Sequence, residues 1–403
     1  MTMARYRTML ELLLGVGILF KGCDSDVKCR NDDGNEVDWL VEILNYSYDI
    51  FSPGQLSVSA EYVIEYIYLC IVRYILYKLP KVKSNGLCYL YMDESTNGWQ
   101  VSKKQISSTS GALANTLKPL LDFYDRKTEG FGYMLYNDQP PDPPGPKSVS
   151  ASYGHSKGVV MLDRRTGVWL SHSTPRFPKY RNKNFWPDSG SVNGQTFMCV
   201  TYSYNTFKDI GLQLKYIHPY PYDSDIPTTF PNELRCVEQR NQCFPKKEPW
   251  FRVQALTSWN GRKFTSFAKY TRFGDDLYSG LIVNSLKNNL YVKSWGKMRT
   301  AGPLPSNCSS SIPHIVYNVE TIKIPKPKKS FNNTLDHSKW CVTPDGDWTC
   351  IADTNREQSQ MKRGGGAICI EKRTAANTFS SMVDSYEQCE PAPRRLRAQT
   401  REL

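Results

Sequence analysis

One tripeptide occurs twice in this chain, as Gly154-His155-Ser156-Lys157 and again as Asp336-His337-Ser338-Lys339. The 403 residues include only 5 histidines, so the repeat reads as an internal duplication rather than coincidence. Each copy is followed by an aspartate eight positions after its histidine, Asp163 and Asp345. A duplication of this kind constrains the fold to two similar units that each carry one copy. In an extended segment residues i and i+2 share a face, so the His and Lys of each copy project together. A pseudo-twofold relation would then gather two imidazoles and two ammonium groups around one point. Phosphodiester hydrolysis uses that set of groups. It needs a nucleophile, a proton donor for the leaving oxygen, and cations for the phosphoryl oxygens.

The rest of the chain reads as an exported globular protein. Hydrophobic residues at 40% and aromatics at 12% exclude a disordered chain, and a net charge of +12 favours polyanionic partners. Residues 1–22 form a signal peptide pattern, with Arg5 and Arg7 before the apolar run Leu12 to Phe20 and Gly22 near a cleavage point; Glu11 interrupts its edge. None of the 12 cysteines falls in a CxxC pair, which fits disulfides better than zinc. Asn45, Asn307 and Asn332 open glycosylation sequons. Together these predict the secretory pathway, hence a lysosomal or extracellular protein.

The apolar stretch Val63 to Leu79 is broken by Glu65 and Arg73 and falls short of the ~18 uncharged residues that span a bilayer. It is read as a buried helix or strand, with no membrane anchor. The Pro-rich run from Asp138 to Pro146 predicts a surface loop. Soft boundaries fall at Pro219 to Pro231 and Lys323 to Lys329, and alternation predicts strands at Gly158 to Asp163 and Val168 to His172. Trp169, Trp340 and Trp348 are assigned to the core rather than to base stacking. The basic end, residues 390–403, is expected to be disordered.

Paired HxK motifs resemble the phospholipase D superfamily, whose halves each supply a His, a Lys and often an Asn about eighteen residues after the His. Asn355 stands eighteen after His337, whereas the first half has Ser173 at that place with His172 beside it. More specifically, the chain resembles the deoxyribonuclease II family. The stretches that carry the likeness include Tyr91-Met-Asp-Glu-Ser, Leu135-Tyr-Asn-Asp-Gln-Pro-Pro, Trp169-Leu-Ser-His-Ser-Thr-Pro, Phe273-Gly-Asp-Asp-Leu-Tyr-Ser-Gly and Lys362-Arg-Gly-Gly-Gly. With both HxK segments they cover roughly Lys78 to Cys389. The resemblance implies an α/β fold of phospholipase D type, with two pseudo-symmetric halves each built on a central β-sheet flanked by helices. The halves are expected at 23–220 and 221–389. One departure stands out: residues 41–75, carrying Asn45 and Cys70, read as an insertion into the first core strand, either genuine or retained non-coding sequence.

The same resemblance implies a metal-independent acid endonuclease that cuts DNA to 3′-phosphate products without a cofactor. One of His155 and His337 attacks phosphorus and the other protonates the 5′ oxygen. Lys157 and Lys339 neutralise the phosphoryl oxygens in place of a metal, and Asn355 hydrogen-bonds them. His172 either tunes the first-half imidazole or is a structural histidine at a strand end. Asp353, Arg356, Lys362, Arg363, Gly364 and Gly365 are expected on the substrate side, the Lys-Arg-Gly-Gly-Gly run reading either as a close phosphate approach or as a flexible turn. An acid that must be protonated accounts for an acidic preference, given an ordinary imidazole pKa of ~6.5. DNA would be held through phosphates, independent of sequence. The implied disulfides are Cys29–Cys199, Cys308–Cys389 and Cys350–Cys369, with Cys236 and Cys243 able to close a local loop; Cys23, Cys70, Cys88 and Cys341 stay unassigned. Two competitors remain: a lipid phosphodiesterase using the same dyad, which the positive charge disfavours, and an inactive secreted DNA-binding protein, which two intact His-Lys pairs disfavour.

Overall fold

Strict alternation of side chains builds the molecule. The computed structural model describes residues 27–35, 38–40, 68–70 and 73–389, apart from 83, 147, 241, 297–301 and 310–312. The signal segment 1–22, Asn45, Cys23, most of the stretch 41–75 and the tail 390–403 lie outside the described residues. A small antiparallel ribbon joins β1 (Asp38–Leu40) to β2 (Tyr68–Cys70).

The first large sheet contains β3 (Arg73–Lys78), β4 (Cys88–Met92), β5 (Gln100–Gln105), β6 (Gly132–Asn137), β7 (Lys157–Leu162), β8 (Thr166–His172), β9 (Gln195–Ser203) and β10 (Pro221–Asp225). Its spatial order is β10-β6-β7-β8-β9-β3-β4-β5, antiparallel throughout. The second sheet contains β11 (Phe251–Thr257), β12 (Lys263–Lys269), β13 (Leu290–Lys293), β14 (Val316–Ile324), β15 (Lys329–Asn332), β16 (Trp340–Val342), β17 (Trp348–Ala352), β18 (Gly365–Glu371) and β19 (Val383–Tyr386). Its order is β11-β12-β18-β17-β16-β13-β14-β15, with β19 on β14 and only β13 and β14 parallel. The fold is therefore mixed α/β, two large sheets flanked by a few helices.

Period-2 patterning decides which face goes where. Along β3, Tyr74 and Leu76 pack outward with Leu113, Leu117 and Leu120 of the helix Ala112–Asp125, while Ile75 and Tyr77 face the second sheet. Phe197 and Cys199 of β9 follow the outward set, and Met198 and Val200 the inward one. Opposite them stand Trp340, Ile351 and Ile368, so both sheets share one central core. Trp340, fully buried, also meets Phe379 of the helix Arg373–Ser380 with ring centroids 5.2 Å apart. The outer face of the second sheet is covered by the helical segment Tyr278 to Leu286, which packs on Phe267, Cys341 and Cys350.

Several expectations shift here. The strand into which the insertion was expected to cut is continuous from Arg73 to Lys78 and is paired on both sides, so residues 73–75 belong to the core. β10 sits on the edge of the first sheet, which carries that sheet past residue 220 to Asp225. The Lys/Pro stretch 323–329 forms the tip of the β14–β15 hairpin, with residues 325–328 as its turn. Strands β7 and β8 lie where alternation placed them. The bonds Cys29–Cys199, Cys308–Cys389, Cys350–Cys369 and the local loop Cys236–Cys243 all form, leaving Cys88 and Cys341 as free thiols among the described residues.

Candidate active site

Each HxK segment is the lead-in to a strand. Lys157 is the first residue of β7, and Lys339 immediately precedes β16. Each lead-in is also pinned by main chain from the other half. The amide of His155 donates to the Gly364 carbonyl (2.9 Å), and the amide of His337 donates to the Gly194 carbonyl (2.9 Å). Both partners have to be glycine. A Cβ on Gly364 would lie 2.2 Å from the Ile217 carbonyl oxygen, and one on Gly194 would lie 2.4 Å from Asp336 Oδ1.

This reciprocal clamp opens a cleft of about 310 Å³ lined by His155, His337, Lys339, Asn355 and Arg363, with Asp138, Ser173 and Trp295 around them. A larger cavity of about 500 Å³ lies between residues 27–34 and the helix Ala112–Asp125, but no histidine lines it. Convergence of chemistry, not volume, selects the smaller one.

The two imidazoles are held differently. His155 Nδ1 donates to the Asp353 carbonyl (2.7 Å), which directs Nε2 toward the Asp138 carboxylate, 3.9 Å away. His337 stands edge-on to Trp295, with ring centroids 4.4 Å apart. Burial pushes His337 down to about 3, and the Lys339 and Lys293 charges add to this. His155 is also held well below the ordinary imidazole value, by burial first, with Lys157, Lys339 and Arg363 adding and Asp138 opposing. Lys339 is buried without a hydrogen-bond partner for its ammonium among the described residues, and burial together with Lys157 and Lys293 brings it down to about 7. Asn355 accepts the Trp295 amide through Oδ1 (3.2 Å), leaving its own amide nitrogen as a donor on the cleft wall.

Behind the cleft, each motif rests on a buried carboxylate. Asp138 binds Lys157 Nζ and Arg363 Nη2 (3.2 Å). Burial alone would raise its pKa, but Lys157, His155 and Arg363 outweigh burial and hold it well below the carboxylate range. Asp336 pairs with Lys293 (3.0 Å) and accepts from the Tyr77 hydroxyl and the Ser338 amide (2.9 Å). None of Asp138, Lys293, Asp336, Tyr77 and Trp295 had been given a role from sequence. The signal for Asp138 was its place at the end of a strand inside Asn-Asp-Gln-Pro-Pro; the Pro-rich run looked like a surface loop, yet its first residue is buried.

Other expected residues sit apart from the cleft. Lys157 is buried against Asp138 and does not line it. His172 is buried between Phe177 and Phe197, its Nδ1 accepts from the Thr174 amide (3.2 Å), and it does not bond His155. The carbonyl of Asp353 orients His155 instead. The Asp353 carboxyl accepts from the Gly366 amide (3.0 Å) and is pushed up to about 7 by burial. Arg356 is spent on Asp276 (3.2 Å), Asn318 (2.6 Å) and the Pro305 carbonyl (3.0 Å), so it is a structural cation rather than a contact for substrate. Lys362 is exposed beyond the cleft, and Gly364 and Gly365 are buried against Ile217 and Thr354 rather than forming an open turn or cradle. Asp163 caps its own hairpin turn through the Arg165 and Thr166 amides, and Asp345 is exposed in a turn. The sequon residue Asn332 is exposed, Asn307 half-buried. No helix among the described residues is long and apolar enough to cross a membrane.

Comparison with known proteins shows the family. The deoxyribonuclease II family profile matches residues 72–389. Over 326 residues the chain is 39% identical to deoxyribonuclease-2-alpha of Rattus norvegicus, an alignment covering 78% of this chain and 91% of that protein. It is 33% identical over 397 residues to deoxyribonuclease-2-beta of Homo sapiens, covering 96% and 98%. It is 37% identical over 331 residues to plancitoxin-1 of Acanthaster planci, covering 78% and 89%. The chain belongs to the deoxyribonuclease II family of hydrolases.

Proposed function

We propose that the protein is a metal-independent acid endonuclease that hydrolyses DNA to 3′-phosphate ends. The observation that carries this reading is the cleft in which His155 and His337, from different halves of the chain, face Lys339, Asn355 and Arg363. The strand order supports descent of the two halves from one phospholipase D-like unit. After each motif three strands follow as an antiparallel meander, β7-β8-β9 and β16-β17-β18. The third strand pairs in each case with an antiparallel strand from upstream, β3 or β12.

The asymmetry around the imidazoles supports one division of roles. His337 is buried beside the Lys339 and Lys293 charges, which favours its neutral, nucleophilic form. Asp138 faces His155 Nε2 and stabilises an imidazolium there, which suits the proton donor. An imidazole nitrogen of His337 bonds to phosphorus while the P–O5′ bond breaks, and His155 gives its proton to the departing oxygen. His155 then takes a proton from water, whose oxygen displaces His337 and leaves a 3′-phosphate. Lys339, Arg363 and the Asn355 amide carry the charge on the phosphoryl oxygens, the task a divalent cation performs in other nucleases. Because burial and the neighbouring cations make both histidines resist protonation, a phosphate anion beside them and an acidic medium together supply the charged acid. A lysosomal or extracellular setting fits that requirement and the four disulfides.

Plasmid cleavage at acidic pH in excess EDTA tests the proposal, with His337→Ala as control. Wild-type cleavage lost in the variant, giving ends that a polymerase extends only after phosphatase treatment, is the expected result. A folded wild type that leaves DNA intact, or ends extended directly, overturns it.

A further inference from the structure

Three cations outside the cleft are mounted on aromatic rings instead of being paired with carboxylates. Arg240 lies over Tyr220 (4.3 Å to the ring centroid), Lys246 over Phe244 (3.8 Å) and Arg272 over Trp250 (5.0 Å). Among the described residues none of the three has an ion-pair partner, in contrast to Arg181, whose ring contacts accompany a bond to Asp223 (3.1 Å). Lys246 and Arg272 are exposed and Arg240 is half-buried.

The mounting rings are contiguous with the cleft. Arg363, on the cleft wall, donates through Nε to the Tyr153 carbonyl (3.1 Å). Tyr153 contacts Tyr220 (5.1 Å between centroids) and stacks on His218 (5.0 Å). His218 meets Phe244 (5.7 Å) and Tyr270 (5.8 Å), and Tyr270 meets Trp250 (6.1 Å). A cation held on a ring keeps its charge but has already lost much of its rotamer freedom, and Arg240 is fixed further by donating to the Tyr220 hydroxyl (3.1 Å) and the Pro221 carbonyl. Such a cation therefore binds an anion at a smaller entropic penalty than a free surface lysine does. Three such charges on one path from the cleft match a chain of anions better than a single ion.

We infer that Arg240, Lys246 and Arg272 form a track that binds backbone phosphates of the DNA flanking the scissile bond. This rests on the nuclease reading, and it adds a binding site beyond the catalytic cleft. The ring faces are occupied by the cations, so the track reads phosphate and not base, and it serves duplex DNA of any sequence.

The test compares the track variant R240Q/K246Q/R272Q with the unmodified track in two assays. Binding of a short labelled duplex is followed by anisotropy across a salt series, both proteins carrying His337→Ala so that the probe survives. Turnover of plasmid DNA and of bis(p-nitrophenyl) phosphate is measured with His337 intact. The expected result is a log–log salt slope shallower by about 2.7, from three lost phosphate contacts, and a KM for DNA raised roughly 10-fold or more, with turnover of the small diester unchanged. Trp250→Leu keeps all three charges and should also weaken binding if the ring organises Arg272; circular dichroism checks that each variant is folded. An unchanged slope in the folded triple variant overturns the track. A reduced slope in a protein whose wild type cuts neither substrate upholds the track as a polyanion site and overturns the nuclease reading instead.

Discussion

Replacing Asp353 by Asn should change how stability depends on pH, and the size follows from one buried carboxyl. Asp353 is buried at the junction of the two halves, with one oxygen on the Gly366 amide (3.0 Å) and the other without a partner among the described residues. That arrangement suits a neutral acid, and burial pushes the group up to about 7 against an ordinary value of 3.8, despite opposition from the Gly366 amide, Lys157 and Lys339. Between those values the folded chain holds a proton that the unfolded chain has released. Stability from this group is therefore full below pH 3.8 and falls as pH rises toward about 7. Each pH unit in the window is worth ~1.4 kcal/mol, so the whole effect is at most about 4 kcal/mol.

The histidines pull the opposite way. His337, lowered to about 3, leaves the folded chain with fewer protons than the unfolded one up to about pH 6.5, so its contribution rises with pH there. A stability curve for the wild type alone mixes the two signs. The difference between Asp353→Asn and wild type separates them, because the amide is isosteric and the His155 contact uses the main-chain carbonyl, which the substitution leaves in place. Urea unfolding followed by tryptophan fluorescence with disulfides intact, at intervals from pH 4 to 7.5, measures that difference. It should grow in favour of the variant as pH rises, approaching about 4 kcal/mol. A difference flat within ~0.5 kcal/mol across the series would refute the assignment of a neutral carboxyl at this position.

Two further outcomes follow from the site. Gly194→Ala sets a methyl 2.4 Å from Asp336 Oδ1, in a carboxylate held by the Ser338 amide on Oδ1 and by Lys293 and Tyr77 on Oδ2. It should lower stability by about 1–3 kcal/mol and displace His337, reducing kcat; thermal unfolding and steady-state cleavage check both, and a neutral substitution would show that the clamp yields. Lys339→Met keeps the buried stem and removes the charge that most depresses His337 after burial, so His337 should titrate nearer its ordinary value and cleavage should fall about 100-fold. Histidine NMR titration decides this: an unmoved His337 resonance midpoint would separate the two side chains.

The duplicated tripeptide made the proposed catalytic pair legible because its chemistry is local: His, Ser and Lys are adjacent, and each copy leads directly into a strand. What escaped was everything delivered by register between distant strands. Lys293 reaches Asp336 because β13 pairs with β16, and Tyr77 reaches it across the interface between sheets, from 259 residues away. No spacing in a single sequence reports such a meeting. Charges were misjudged for a related reason. Arg356 reads as a cation for DNA until Asp276, 80 residues upstream, is found to neutralise it. Asp138 reads as a loop residue until Lys157 and Arg363 close on it.

The glycines show the same limit from the opposite side. In sequence Gly364 and Gly365 suggest either freedom or room for a phosphate. In the fold the space beside Gly364 is filled by main chain of the other half and that beside Gly365 by Thr354 of its own half, and Gly364 carries the carbonyl that fixes His155. Gly194 does the same for His337. The two cleft histidines are thus set by two places where only glycine lets the halves approach, and the main chain of each is held by the half that does not supply it. Active-site assembly and docking of the two halves are then one event: a half folded alone would present a correctly sequenced HxK segment with no partner carbonyl to hold it.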